Sequence, residues 1–153
     1  MAKSELKIRD IRISDKKEYI KMYEGLFSGK ATVTPYDEET AILNFNNAIS
    51  GTNAIRCLIF EYKKFILGYA YLSFSYSTSI AMKCVCLEDL YVKEQARGKG
   101  VGKYFIDWLV KEYKNYAGTI NLEVTRENLC ARKFYESLNF KNSKYLQMYL
   151  PLK

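Results

Sequence analysis

Between Arg97 and Lys103 the chain reads Arg-Gly-Lys-Gly-Val-Gly-Lys. A strand-like run, Leu87-Glu88-Asp89-Leu90-Tyr91-Val92, ends just before it, and an amphipathic stretch begins at Val101. A helix start carries unpaired N–H groups and the positive end of the peptide dipole. Glycines let those groups approach an anion with no side chain in the way. Arg97, Lys99 and Lys103 add positive charge. The chemistry this implies is binding of a phosphate-bearing ligand. Two common nucleotide loops fail on spacing. The triphosphate loop G-x-x-x-x-G-K-[ST] would need a glycine where Arg97 stands and a serine or threonine where Tyr104 stands. The dinucleotide loop G-x-G-x-x-G is broken because Gly98, Gly100 and Gly102 run G-x-G-x-G.

The same run holds two carboxylates inside an otherwise apolar strand. The chain has no histidine, so proton transfer falls to a carboxylate, a tyrosine, a water relay or no base at all. Adjacent strand residues point to opposite faces, so Glu88 and Asp89 are expected to play different parts unless a bulge intervenes. In a regular strand Glu88 shares its face with Leu90 and Val92. Metal chemistry is not expected. There is no C-x-x-C pair, and Cys57, Cys84, Cys86 and Cys130 lack the further ligands a zinc site needs. Cys84 and Cys86 share one face of a strand, and all four read as reduced packing residues.

These residues need elements to position them. A strand is expected from Leu6 to Ile13, then a helix capped by Ser14 or Asp15 and running to Phe27. A second helix fits Asp37 to Ile49, with Ala41, Ile42, Leu43 and Phe45 on its apolar side. Strands at Ala54–Tyr62 and Phe65–Phe74 flank Lys63-Lys64 as a hairpin, and Gly68 marks a bulge or a close backbone approach. Ser75–Ala81 reads as a polar connection and Cys84–Val92 as the next strand. Val101–Tyr116 reads as a helix with Val101, Phe105, Trp108, Leu109 and Tyr113 near one face. A strand at Thr119–Thr125, a helix at Asn128–Leu138 and a last strand at Lys144–Leu150 complete the order. The expectation is an α/β (mixed α+β) fold: residues 1–153 as one domain around a central mixed, mostly antiparallel sheet flanked by helices.

Composition narrows the partners. At 153 residues the chain can bury a core without disulfides. The net charge is +7, but the basic residues are spread along the chain with no cluster of the kind nucleic acid needs. No apolar run approaches the length of a membrane span, and the first residues lack a signal peptide's apolar core. The expected location is the cytoplasm, with no membrane and no nucleic-acid partner.

The pattern R-x-x-G-x-G after a strand resembles the GNAT superfamily of N-acetyltransferases. A second patch agrees. Asn128-Leu129-Cys130-Ala131-Arg132-Lys133-Phe134-Tyr135-Glu136-Ser137-Leu138-Asn139-Phe140 is similar to that family's N-x-x-A-x-x-x-Y-x-x-x-G-F, with Asn139 where glycine is usual. Asn also enters the left-handed conformation readily. Within the superfamily, Leu87–Val92 is most similar to the diamine (spermidine/spermine-type) and related bacterial amine acetyltransferases. The resemblance implies acetyl-CoA as co-substrate and no metal. It implies that Leu90-Tyr91-Val92 carries the pantetheine arm, through main-chain groups of Leu90 and Val92. It implies that Gly98, Lys99, Gly100, Val101, Gly102 and Lys103, with Arg97, hold the pyrophosphate, and that Asn128 and Ala131 lie on the arm. Tyr135 is implied as the acid beside the sulfur, and Glu88 as the catalytic group facing the acceptor amine. Asp89 and Glu123 are candidate acceptor-binding residues. The base stays open between Glu88, Asp89 and a water. The acceptor expected is a primary amine of a small molecule, a polyamine or amino acid for example, attacking directly in a ternary complex. A non-catalytic acetyl-CoA-binding module and a protein N-terminal or lysine acetyltransferase are the alternatives. A homodimer is usual among such relatives.

Overall fold

The computed structural model describes residues 5–29 and 31–152. Five strands form one sheet in sequence order: β1 (Leu6–Asp10), β2 (Ile55–Tyr62), β3 (Phe65–Ser77), β4 (Met82–Val92) and β5 (Ala117–Leu122). All neighbours are antiparallel except β4 and β5, which run parallel. Four helices flank the sheet: α1 (Lys16–Phe27), α2 (Glu38–Ile49), α3 (Val101–Tyr113) and α4 (Leu129–Ser137). The result is the mixed, mostly antiparallel α/β architecture expected from the order of elements.

Alternation of side chains divides the sheet into two faces. On one, Leu58, Phe60, Ala70, Leu72, Val85 and Leu87 pack against Val101, Phe105, Ile106 and Leu109 of α3. On the other, Cys57, Ile59, Tyr69 and Tyr71 pack against Tyr19, Met22 and Tyr23 of α1 and Ala41 and Phe45 of α2. The expected apolar face of α3 is therefore found, with Ile106 added. On α2, Leu43 does not join the core and is 54% exposed. It lies two residues from both Ala41 and Phe45, which puts it on the far side of the helix.

Several boundaries differ from expectation, for identifiable reasons. β1 stops at Asp10, whose carboxylate is held by Arg56 of β2 at 2.6 Å. Asp15 precedes α1 but does not cap it. Its carboxylate is committed to the Arg9 guanidinium at 2.7 and 3.0 Å and to the Arg12 N–H at 2.8 Å. Asp37 does cap α2, accepting from Thr40 N–H at 2.8 Å. β3 continues through Ser75–Ser77, because Met82–Cys84 supply partners. α3 ends at Tyr113, where a turn from Tyr116 N–H to Tyr113 C=O replaces the helical bond.

The hairpin at Lys63-Lys64 is present, with both residues at positive φ as a two-residue turn requires. Lys144–Leu150 is not a strand. Its sequence suits one, but a strand exists only through a neighbour's ladder, and no strand among the described residues pairs with it. No described helix is long and apolar enough to cross a membrane.

Candidate active site

β4 and β5 pair from Lys83/Ala117 to Leu87/Leu122 and then part. From Glu88 to Val92 the β5-facing edge of β4 has no partner strand among the described residues. The parting coincides with a bulge. Across β3, Leu87 pairs with Leu72 and Asp89 with Tyr71, so Glu88 is left without a partner. One extra residue in a strand breaks the alternation. Leu87, Leu90 and Val92 all pack on the α3 side, whereas Tyr91 packs on the α1 side. Glu88 therefore does not share a face with Leu90 and Val92, as a regular strand would have it. Its carboxylate accepts from the Ser73 hydroxyl, two residues along β3 from Tyr71, and is exposed.

Asp89 pairs with Tyr71, alternates with Leu90 and so lies on the α1 side. The Tyr69 hydroxyl donates to its carboxylate at 3.1 Å. Burial, aided by the neighbouring Glu88 charge and opposed by the Tyr69 bond, pushes the Asp89 carboxyl up to about 6. The bulge thus sets two acidic groups of different character on one side of the sheet. The adjacent wall is aromatic. Tyr91 stands 6.3 Å from Tyr69, and Tyr69 packs edge-on against Tyr19 at 5.1 Å. Gly25 of α1 makes room for the Tyr91 ring, since a Cβ there would lie 2.5 Å from its hydroxyl. Gly68 allows the close approach expected of it. A Cβ on Gly68 would sit 2.2 Å from the Tyr91 carbonyl oxygen.

The glycine turn follows a short 3-10 turn at Glu94–Ala96. Gly98 and Gly100 have φ of 71° and 80°, the left-handed region where glycine is at home. A Cβ on either would meet nothing within 4 Å, so both face open space. Gly100 is the N-cap of α3 and offers no side chain, and the first turn holds no acidic residue. The N–H groups that open α3 are thus uncapped from within. Gly102 serves differently: its α-carbon packs beside Phe134 of α4, and a Cβ would be 3.1 Å from that ring. Val101 is buried in the α3 core. Lys99 is exposed, and the exposed Lys103 ammonium pairs with Asp107 at 3.2 Å. The Arg97 guanidinium donates to the Val92 carbonyl at 2.9 Å and lies over the Tyr91 ring at 5.7 Å, tying the turn to the end of β4.

The second patch forms α4. The Asn128 side chain accepts from Ala131 N–H at 3.1 Å, a helix cap. Asn139, at φ 68°, closes the helix in the left-handed conformation. Phe140 N–H returns to Tyr135 C=O and Asn139 N–H to Glu136 C=O, the bond pair of a Schellman closure. Phe140 and Tyr135 rings meet at 5.4 Å as that closure favours. Tyr135 is half-buried, and burial pushes its phenol up to about 12, so it is protonated at neutral pH. Glu123 is exposed immediately after Leu122, where β5 leaves β4. Among the described residues no group of three or more metal-ligating side chains exists.

The uncapped helix start, the two glycines facing open space and the unpaired β4 edge fit a long ligand with a diphosphate at one end. A sequence profile of the Acetyltransferase (GNAT) family matches residues 17–140. The chain belongs to this family. Membership makes it an acetyl-CoA-dependent N-acetyltransferase. No curated protein matches its sequence.

Solved structures share the family's fold. A possible acetyltransferase from Clostridium difficile 630 is 17% identical with a TM-score of 0.86, over 97% of this chain and 98% of that one. Glucosamine-6-phosphate N-acetyltransferase from Arabidopsis thaliana is 25% identical with a TM-score of 0.70, over 97% and 99%. An aminoglycoside N-acetyltransferase in complex with CoA is 14% identical with a TM-score of 0.77, over 97% and 95%.

Four residues around this GNAT site carried little sequence signal. Tyr69, Ser73 and Phe134 lie in ordinary strand and helix patterns, and their importance comes only from what sits opposite them. Gly25 carried a faint one, as a glycine inside a helix, which costs stability unless something needs the space.

Proposed function

We propose that this acetyltransferase acts on a primary amine of a small molecule, by direct attack in a ternary complex. The observation that carries the proposal is the bulge at Glu88. It coincides with the parting of β4 from β5 and leaves Asp89 on the α1 side, two residues beyond the last paired residue, Leu87. Acetyl-CoA supplies the acetyl group as an activated thioester. The Gly98–Lys103 N–H groups and the exposed Lys99 bind its diphosphate, and the strand edge from Leu90 to Val92, whose Val92 carbonyl is held by Arg97, orients the arm. Asn128, Ala131 and the α4 start complete the far wall.

An amine of pKa near 10 must lose its proton to attack, and the proton needs an acceptor. Asp89 suits this better than Glu88. It is shielded, its affinity for a proton is raised, and the Tyr69 hydroxyl fixes its orientation. Glu88, exposed and bound to Ser73, suits attraction of the incoming ammonium, with exposed Glu123 following Leu122, the β5 partner of Leu87. Tyr135 donates its phenolic proton, or a hydrogen bond, to the departing sulfur, and the amine proton ends on Asp89 or its water.

The two carboxylates on one face support an acceptor that arrives as a cation, as the likeness of Leu87–Val92 to diamine acetyltransferases also suggests. Glucosamine-6-phosphate and aminoglycosides are named in two of the similar structures and a ribosomal protein's alanine in another, so the choice of a small acceptor rests on the two carboxylates. The test is acetyl-CoA consumption over a panel of diamines, amino sugars, amino acids and a peptide with a free N-terminus. Turnover is expected with small amines. Turnover confined to the peptide would overturn the small-acceptor reading, and none with any amine would overturn the whole proposal.

A further inference from the structure

Tyr19 of α1 is fully buried, and its hydroxyl has no hydrogen-bond partner among the described residues. Two phenols packed in the same core are satisfied. Tyr69 donates to Asp89 at 3.1 Å, and Tyr71 donates to the Asn44 carbonyl at 3.0 Å. A buried hydroxyl with nothing to bond costs its full desolvation, so an orphan of this kind calls for an explanation. Beneath Tyr19 the register sets three polar side chains in one row across the sheet. Cys57 of β2 pairs with Tyr71 of β3, and Tyr71 pairs with Asp89 of β4. Tyr71 is spent on Asn44, which leaves the Asp89 carboxylate and the Cys57 thiol. Tyr19 stands edge-on to Tyr69 at 5.1 Å. Burial first, then Cys57 and Asp89 nearby, push its phenol far up, so it keeps its proton to donate.

The carboxylate is the partner with capacity. An ionised carboxylate has about four lone-pair sites, whereas a thiol is a weak acceptor. Among the described residues Tyr69 is the one side chain that donates to Asp89, and no direct bond joins it to Tyr19. A water between them has the Tyr19 hydroxyl, the Asp89 carboxylate and the Cys57 thiol as partners, which is what an internal water needs. Cys57 also lines a cavity of about 360 Å³ that reaches the surface at exposed Asp10, Gly51 and Asn53, a way in for water. We propose that Tyr19 is a positioning residue for Asp89: its hydroxyl donates through one water to the carboxylate and stabilises the ionised form. The other titratable groups facing this carboxylate are Tyr23 on α1, Cys57, Tyr69 and Tyr71 on the sheet, and Tyr91 and Glu88 on β4 itself. The α2 side chains in this core, Ala41 and Phe45 among them, are uncharged. Of all these groups Glu88 acts in the opposite sense to a donor, favouring the protonated acid. A second donor keeps more of Asp89 ionised near neutrality. Its effect on turnover rests on Asp89 as the proton acceptor, and its effect on the titration of Asp89 does not.

The test compares the full chain with Tyr19→Phe, which removes the hydroxyl and keeps the ring. Carbon NMR of labelled aspartate follows the Asp89 carboxyl directly, with Asp89→Asn to identify its signal. The titration midpoint should rise in Tyr19→Phe and stay in Tyr71→Phe, whose hydroxyl is spent on Asn44. Below the limb, kcat/KM of Tyr19→Phe should fall about tenfold for each pH unit of that rise, while the plateau above it keeps its height. Thermal melts supply a second sign. Removing an orphan hydroxyl raises Tm, whereas losing a link to a charged group lowers it, and more so at about pH 8 than at about pH 4. An unmoved Asp89 midpoint, an equal rise in Tyr71→Phe, or a higher Tm in Tyr19→Phe would each overturn the proposal. A raised midpoint with no matching change in kcat/KM would uphold the link from Tyr19 and remove Asp89 from the chemistry.

Discussion

Asp89 holds the most telling carboxylate in the molecule, and its environment gives a prediction with a definite sign. An unfolded aspartate loses its proton near 3.8, whereas folded Asp89 keeps its proton up to about 6. The folded state therefore binds the extra proton, and stability falls as pH rises from about 4 to about 6. Asp89→Asn removes that loss while keeping an acceptor for Tyr69. Thermal melts at pH 7 should show the variant more stable by about 2–3 kcal/mol, with the advantage gone at pH 4. The same substitution should lower turnover by roughly 10²–10⁴-fold and erase the limb near pH 6 from the pH profile of the residual kcat/KM. A limb that persists in Asp89→Asn would return the base to Glu88 or to water. Tyr135→Phe should lower turnover by roughly 10²–10⁴-fold, with CoA affinity little changed, measured under single-turnover conditions. Sequence alone named these side chains but not their relation. The pair Glu88-Asp89 between two inward-facing leucines, Leu87 and Leu90, is the written trace of a bulge, yet only pairing with Leu72 and Tyr71 shows which way each acid turns.

Among the elements, the glycine turn and α4 were the most legible in sequence, because both depend on local backbone conformation. Left-handed Gly98, Gly100 and Asn139 follow from residue type. The role of the turn is open to direct measurement. CoA at about 100 times its dissociation constant should raise stability by roughly 2.7 kcal/mol. Gly100→Glu should lose that shift, since a carboxylate at the uncapped start of α3 repels the diphosphate. An equal shift in both proteins would separate the turn from CoA binding. Elements that depend on distant neighbours were less legible. Ser75–Ser77 is a strand only because Met82–Cys84 lie beside it, and Lys144–Leu150 is not one because no strand among the described residues pairs with it. Pairing of this kind is decided far along the chain, beyond the reach of periodicity.

In the whole molecule, two cores share one sheet, and the α1 side is anchored to it by a charge network that no local pattern displays. Arg9 bonds Asp15 at 2.7 Å before α1 and Glu61 of β2 at 2.8 Å, with Asp15 almost fully buried. Burial would raise the Asp15 carboxyl, but the bonds from Arg9 and from Arg12 N–H outweigh it and hold it below its ordinary value. Its contribution is therefore present above about pH 4 and is lost as pH falls through the folded value. Arg9→Met should cost about 3–5 kcal/mol at neutral pH, because it strands a buried charge, and less in acid, where Asp15 is neutral. Denaturant melts at the two pH values measure the difference. The bulge has a last consequence at this scale. Removing Glu88 alone would restore strict alternation through Leu87, Asp89, Leu90, Tyr91 and Val92, with every apolar group still on its present side. A single three-base deletion should thus yield a soundly folded protein whose fourth and fifth strands can zip further together. By the same reasoning, one inserted codon in a plain strand is enough to turn a carboxylate to the other face beside an open strand edge.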